Sequence, residues 1–434
     1  MYKVGLYTLG CKVSQYETEA ISEAFAERGL SVSDFNGVCD AYVINTCTVT
    51  AESDRKSRQI IRRAIKKNPD AVVAVVGCYT QRSPDEVISI PGVSIVIGTD
   101  NKMSVVDEVI SRLETPGKEK TVNVTDVTRA SFEPMTVKRA PRTRAYLKIE
   151  DGCESKCTYC AISAARGRVR SKAPEDVIRE VESLSDSGIA EIVLTGIETG
   201  SYGRDFGNGY GLAELILELD RRGSARRIRL GSLAPELVGR DFVEKVRGVG
   251  ILAPHFHLSV QSGSNDVLRA MKRRYTRERA LENIERLRDA FPTANFTTDL
   301  MVGFPGESEE DFLMSCDFVR EAELLDAHVF AYSRREGTPA AYYSGQIPEN
   351  VKRERSDRLI KVKNGERERV LEKTVLRGKP LSAVIEAEWR DGYMSAHSDS
   401  YVEMRIKAGA EMQGSVVNAL PVSHKDGIIY AELV

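Results

Sequence analysis

The strongest constraint on this chain is a rhythm in which short apolar runs of strand length alternate with amphipathic stretches of helical length, twice over. Runs at residues 2–8, 41–45, 71–76 and 94–97 carry it through the first 115 residues. Strands separated by helices predict an α/β domain with a parallel sheet covered by helices. A second series at residues 144–150, 191–195, 227–231, 256–260, 296–302 and 327–332 supplies six such units. It predicts a partial (β/α)6 barrel, open on one side to admit a large substrate. Between the two series, residues 114–142 are polar and carry Pro116, Pro134 and Pro141, which reads as a linker with a short strand near Val122. After residue 373 the pattern becomes short strands separated by turns such as Arg390-Asp-Gly392 and Lys425-Asp-Gly427. A small closed or nearly closed β-barrel is expected there, joined to the middle by a charged helix over residues 349–372. The expected units are therefore residues 1–115, a linker 116–141, residues 142–372 and residues 373–434.

At 434 residues the chain is too long for one core, in keeping with this division. Its net charge of −2 gives no whole-molecule attraction to nucleic acid, so any such binding must come from local basic stripes. The first residues read as a strand and not as a signal peptide, and no apolar run reaches membrane-spanning length. A cytoplasmic location with no membrane contact is the expectation, with thiols kept reduced. The eight cysteines then read as metal ligands, catalysts or packing residues and not as disulfides.

Cys153, Cys157 and Cys160 fall within eight residues directly after a predicted strand. Three thiolates on one loop can wrap a four-iron cluster and leave one iron free to bind something else. A zinc site would require a fourth protein ligand, and the histidine nearest in sequence is His255. A second triplet, Cys11, Cys47 and Cys78, is dispersed, yet each member follows a predicted strand of the first domain. Parallel strands end on one sheet edge, so these thiols can converge on a second cluster, with Gly10 and Gly77 letting backbone approach it. Cys39 precedes its strand and Cys316 shares an apolar helix face with Phe312 and Val319; both read as packing residues.

The C-x-x-x-C-x-x-C spacing, with Tyr159 before the last cysteine, resembles the signature of the radical S-adenosylmethionine superfamily. That resemblance implies that the open iron chelates S-adenosylmethionine, whose reductive cleavage yields a 5′-deoxyadenosyl radical. The order of a strand-end triplet, a radical triplet and a small β tail is similar to the methylthiotransferase family over essentially the whole chain. The strings G-C-K-V-S-Q-Y-E-T-E from Gly10 to Glu19, N-T-C ending at Cys47, D-R-K-S-R from Asp54 and V-G-C ending at Cys78 carry the match. The first resembles the branch acting on N6-threonylcarbamoyladenosine beside the tRNA anticodon, and the tail corresponds to the family's RNA-binding TRAM domain.

By this resemblance the enzyme holds two 4Fe-4S clusters, on Cys153, Cys157 and Cys160 and on Cys11, Cys47 and Cys78. It uses one S-adenosylmethionine to methylate a cluster-bound sulfur and another to make the radical. Tyr159, Gly196, Glu198, Ser232, Ser259 and Gln261 stand at positions that match the cofactor pocket. Ser14, Gly231 and the segment from Ala161 to Gly167 depart from the family pattern. The implied partners are the tRNA anticodon loop and an electron donor such as flavodoxin or ferredoxin; the sulfur donor is not implied. Isopentenyladenosine in tRNA or a ribosomal protein are alternative acceptors, and a non-catalytic electron-transfer protein is the alternative of another class. RNA contact is expected from a stripe of Arg55, Arg58, Arg62 and Lys66, with Lys272-Arg-Arg274 and Arg221-Arg222 as further candidates. Trp389, Tyr393 and Tyr401 read as core packing in the tail, and the five histidines as scattered structural residues.

Overall fold

Six parallel strands form the first sheet, in the order Ser31–Ser33, Lys3–Thr8, Ala41–Thr46, Val72–Gly77, Val93–Ile97 and Thr121–Asn123. The computed structural model describes residues 1–115, 117–138, 143–390 and 392–434; Pro116, Pro141 and Asp391 lie outside these. Every residue of Ala41–Thr46 is buried, as expected of a parallel strand covered on both faces. Helices Lys12–Glu27 and Ser104–Glu114 pack on one face through Ile21, Phe25, Val105 and Val109. Helix Ala51–Lys67 covers the other with Ile61 and Ala64. The edge strand Thr121–Asn123 lies in the stretch read as linker and extends the sheet. Strand order reverses between Lys3–Thr8 and Ala41–Thr46, and the carboxyl ends of the strands share one edge.

The second series folds as six parallel staves. Arg144–Lys148, Glu191–Thr195 and Ile228–Leu230 form one sheet; Ser232–Leu233, His255–Gln261, Asn295–Val302 and Asp326–Ala331 form another. The third stave serves both, broken at Gly231, where a Cβ would meet Thr199 Oγ1 at 2.8 Å. Arg144–Lys148 and Asp326–Ala331 are unpaired edges, so the barrel is open between them. The first domain bridges the gap. On one side Lys148 reaches Glu17; on the other, Arg335 donates to Thr48 Oγ1 and Asp54 Oδ2, both at 2.7 Å. Cys316 packs with Phe312 and Val319 in the barrel's helical shell, and Cys39 is buried against the first sheet.

Helix Glu349–Leu376 leads to a closed five-stranded barrel of Leu381–Arg390, Tyr393–Ser398, Glu403–Lys407, Ile428–Leu433 and Val416–Lys425, in that spatial order. Its last hairpin turns on Asp426 and Gly427, both at positive φ, the conformation that suits a two-residue Asp-Gly loop. A buried charge cluster fastens this tail to the larger barrel. Glu191 receives two 2.7 Å hydrogen bonds from Arg229, while Arg227 donates to Ser382 Oγ at 2.6 Å and Arg144 pairs with Glu386 at 2.5 Å. Among the described residues no helix is long and apolar enough to cross a membrane.

Candidate active site

Each member of the dispersed triplet leaves the carboxyl end of a strand of the first sheet. Cys11 caps the amino end of helix Lys12–Glu27, Cys47 follows Ala41–Thr46, and Cys78 opens helix Cys78–Arg82. Cys11 and Cys47 flank the point where strand order reverses, the usual ligand crevice of an open parallel sheet. A Cβ on Gly10 would stand 3.2 Å from Cys47 Cβ, and one on Gly77 would meet Thr46 O and Asn45 Oδ1 at 2.6 Å. These glycines therefore make room for the neighbouring strand end.

The compact triplet occupies the loop between strand Glu150–Asp151 and helix Ile162–Arg166, at the barrel's carboxyl mouth. The loop is pinned from several directions. Cys153 N–H donates to Gly167 O at 3.0 Å, Thr158 N–H to Met271 O at 3.1 Å, and Cys160 N–H to Cys157 O at 3.1 Å. A cavity of about 260 Å³ is lined by all three cysteines and by Tyr159, Glu198, Ser259, Gln261, Arg273 and Asp299. Val49 and Thr50, just after Cys47, line it too, so the first domain forms part of its wall, while Cys11, Cys47 and Cys78 are not among its lining residues. Gly196 and Ser232 are not among the lining residues. Gly196 instead rests on Glu150, whose Oε2 a Cβ would meet at 2.4 Å, and Glu150 accepts the Glu198 N–H at 2.9 Å.

Burial pushes the thiols of Cys47 and Cys160 up to about 12 and also raises those of Cys78 and Cys153. Neighbouring cysteines of the same triplet raise each of them further. Such sites disfavour bare thiolates, and a cationic metal core is what would convert all three to ligands. All six thiols are free of disulfides. The donor sets fit a three-thiolate iron-sulfur cluster at each place.

Two arginines touch these thiols, and the sequence reading missed both roles. Arg273 donates to Cys157 Sγ at 3.4 Å and to Ser259 O at 2.7 Å. It belongs to the run read as an RNA contact, and its neighbours in space, Tyr275 and the Ser259 carbonyl, turn it inward. Arg166 Nε donates to Cys78 Sγ at 3.2 Å from the opposite domain. Burial raises the Glu198 carboxyl to about 7, against the 2.9 Å hydrogen bond it receives from Ala234 N–H. Two of the histidines read as scattered converge on the cavity wall: His257 Nε2 and His328 Nδ1 lie 3.3 and 3.1 Å from the two oxygens of Asp299. They are 71 positions apart in sequence, and only the adjacency of their strands to Asn295–Val302 unites them.

The RNA-contact expectations change as well. Arg55 pairs with Glu52, and Arg58 donates to Tyr79 OH at 2.9 Å and to Glu86 at 3.0 Å; Arg62 and Lys66 are exposed, as is Arg55 beside its carboxylate partner. Tyr401 stacks on His255 with ring centroids 4.2 Å apart, and Tyr393 packs edge-on against Tyr430. Trp389, read as core, is 38% exposed with the Arg405 guanidinium 4.7 Å from its ring.

The Radical SAM superfamily matches residues 147–319, and the Uncharacterized protein family UPF0004 matches residues 3–98. The threonylcarbamoyladenosine tRNA methylthiotransferase MtaB of Bacillus subtilis is 42% identical, over 96% of this chain and 93% of its own. The tRNA-2-methylthio-N(6)-dimethylallyladenosine synthase of Acetivibrio thermocellus is 31% identical, over 95% and 87%. Among solved structures, the radical S-adenosylmethionine methyltransferase TsrM of Kitasatospora setae aligns with a TM-score of 0.58 at 18% identity, over 79% of this chain and 77% of its own, a likeness of fold. With a cysteine triplet at the end of each parallel-sheet domain's strands and relatives that share nearly its full length, the chain belongs to the radical S-adenosylmethionine methylthiotransferase family.

Proposed function

We propose that this enzyme converts N6-threonylcarbamoyladenosine, next to the anticodon of tRNA, to its 2-methylthio derivative. The observation that carries the reading is the near full-length similarity to the Bacillus subtilis MtaB protein, together with a cavity at the compact triplet whose wall the first domain completes through Val49 and Thr50. Carbon 2 of adenine is unactivated, so acid-base or nucleophilic chemistry has no purchase on it. The family implies a 4Fe-4S cluster and S-adenosylmethionine, which when bound supply the radical that removes the carbon-2 hydrogen.

The chain's own residues hold and orient. Cys153, Cys157 and Cys160 bind the radical cluster, and Arg273 braces Cys157 while fixing the end of strand His255–Gln261 through Ser259 O. Tyr159, Glu198, Ser259 and Gln261 bound the cofactor's space, and Gly196 and Ser232 shape the strand ends behind it. Cys11, Cys47 and Cys78 would hold a second 4Fe-4S cluster, which when bound would supply the sulfur for transfer. The tail barrel and the exposed Arg62 and Lys66 contact the RNA, whose target base is splayed out into the open barrel. Flavodoxin or ferredoxin in the cytoplasm delivers the electron.

Nucleoside mass spectrometry of tRNA from a deletion strain tests the acceptor. Loss of 2-methylthio-N6-threonylcarbamoyladenosine, restored by the cloned gene, is the expected result. Loss of the isopentenyl derivative alone would move the enzyme to the sister activity, and an unchanged profile would point to a protein acceptor.

A further inference from the structure

We propose that Arg166 is a positioning residue for the second cluster, delivering a buried surplus of positive charge to Cys78 and thereby holding that cluster's reduction potential up. The inference rests on the two-cluster reading above. Arg166 ends the short helix Ile162–Arg166 that follows the radical triplet, yet its Nε donates to Cys78 Sγ of the other domain at 3.2 Å. Its Nη1 meets Glu17 Oε1 at 2.7 Å and Asp151 Oδ2 at 3.0 Å, and Asp151 stands two residues ahead of Cys153. One guanidinium thus touches a cysteine of the dispersed triplet and the base of the loop that carries the compact one.

The charge count around it is lopsided. Four buried cations, Arg166, Lys102, Lys148 and Arg170, face two buried carboxylates, Glu17 and Asp151. Glu133 lies near Lys102 and Lys148 and Glu150 beside Asp151; burial raises both carboxyls, which favours their neutral forms and leaves the cations in excess. Uncompensated charge in a protein interior is costly, so an anionic group is expected to complete the set. A four-iron cluster on three thiolates is net anionic and becomes more so on reduction. Cys78 Sγ, the atom that Arg166 touches, is where that negative charge would meet the surplus. A cation donating a hydrogen bond to a ligand sulfur favours the reduced cluster, because outer partners of metal ligands tune potential through charge and hydrogen bonding.

The test uses the full chain with Cys153, Cys157 and Cys160 all changed to Ala, so that only the second cluster is seen. Arg166→Gln and Arg166→Lys are then introduced, each protein is reconstituted with iron and sulfide, and the midpoint potential is read by electron paramagnetic resonance during a dithionite titration. A negative shift in Arg166→Gln, with a smaller one in Arg166→Lys, is expected. An unshifted potential in Arg166→Gln with the cluster intact overturns the role. A parent protein that binds no iron overturns the second-cluster reading itself, and Arg166's role with it. If the variants lose their cluster, alkylation of Cys78 in the metal-free chain decides. Slower alkylation in Arg166→Gln than in the parent, at unchanged circular dichroism, supports the contact with Sγ, and an equal or faster rate overturns it.

Discussion

The chemistry of this enzyme turns on thiols whose surroundings oppose their ionisation. Cys47 and Cys78 are both buried, and burial raises each of them. They are therefore poor nucleophiles and good candidates for ligands that ionise only against a metal. Cys47→Ala should uncouple the reaction. The variant keeps Cys153, Cys157 and Cys160 and the cavity they line, so 5′-deoxyadenosine should still form under reducing conditions, while methylthiolated product should fall below detection. Full methylthiolation by this variant would show that the dispersed triplet is not the working centre. Arg273 escaped the sequence reading for an equally local reason. Flanked by Lys272 and Arg274, it has the pattern of a solvated run, and only the carbonyl of Ser259 and the ring of Tyr275 reveal its direction.

Among the elements, strand Glu191–Thr195 carries an unusual burden, because its first residue anchors the tail barrel. Burial pushes the Glu191 carboxyl up, yet the Arg229 guanidinium, with Arg144 and Arg227 behind it, holds it at about 2. An unfolded glutamate titrates near 4.3, so this site contributes about 3 kcal/mol of stability above that pH, lost as pH falls toward 2. Glu191→Gln should cost about 3–5 kcal/mol at neutral pH by leaving buried guanidiniums without their partner. It should also remove the acid dependence between pH 4.5 and 2. Hydrogen exchange at strand Glu191–Thr195 and around Ser398, which accepts from Arg229 at 3.2 Å, checks both. Faster exchange at pH 7 in the variant, with no further acceleration on acidification, is the expected outcome.

At the scale of the whole molecule, two modules share one seam, and their metal contents should be separable. Reconstituted protein should carry about eight irons and eight sulfides per chain, and changing Cys153, Cys157 and Cys160 to Ala should remove about half. About four irons in the intact protein would refute the two-cluster reading. With a net charge of −2, binding to tRNA must rely on local cations. Arg55 and Arg58 are engaged by Glu52 and Glu86, so Arg62→Gln with Lys66→Gln should weaken binding and lower its salt dependence by roughly two phosphate contacts. Arg58→Gln should instead act on stability, by releasing Tyr79 and Glu86. Binding isotherms at several salt concentrations separate the two effects.

The linear chain determined the three-part architecture, because strand-length and helix-length apolar periods are local properties that tertiary contacts seldom reverse. The six staves and four of the six strands of the first sheet stand where the periodicity put them, and the strand near Val122 is present as Thr121–Asn123. The strand-end placement of the dispersed triplet was legible for a related reason: parallel strands of one sheet end on one edge. The short strand Ser31–Ser33 left no apolar signal, since it is an exposed edge and needs no buried side chains. What only the tertiary structure decided is the second layer of contacts. Arg166 on Cys78, Arg273 on Cys157, and His257 with His328 on Asp299 join residues from 29 to 116 positions apart. Such pairings carry no sequence period, because a long charged side chain is directed by where its nearest buried counter-charge happens to lie in space, and that is settled only when the domains close on one another.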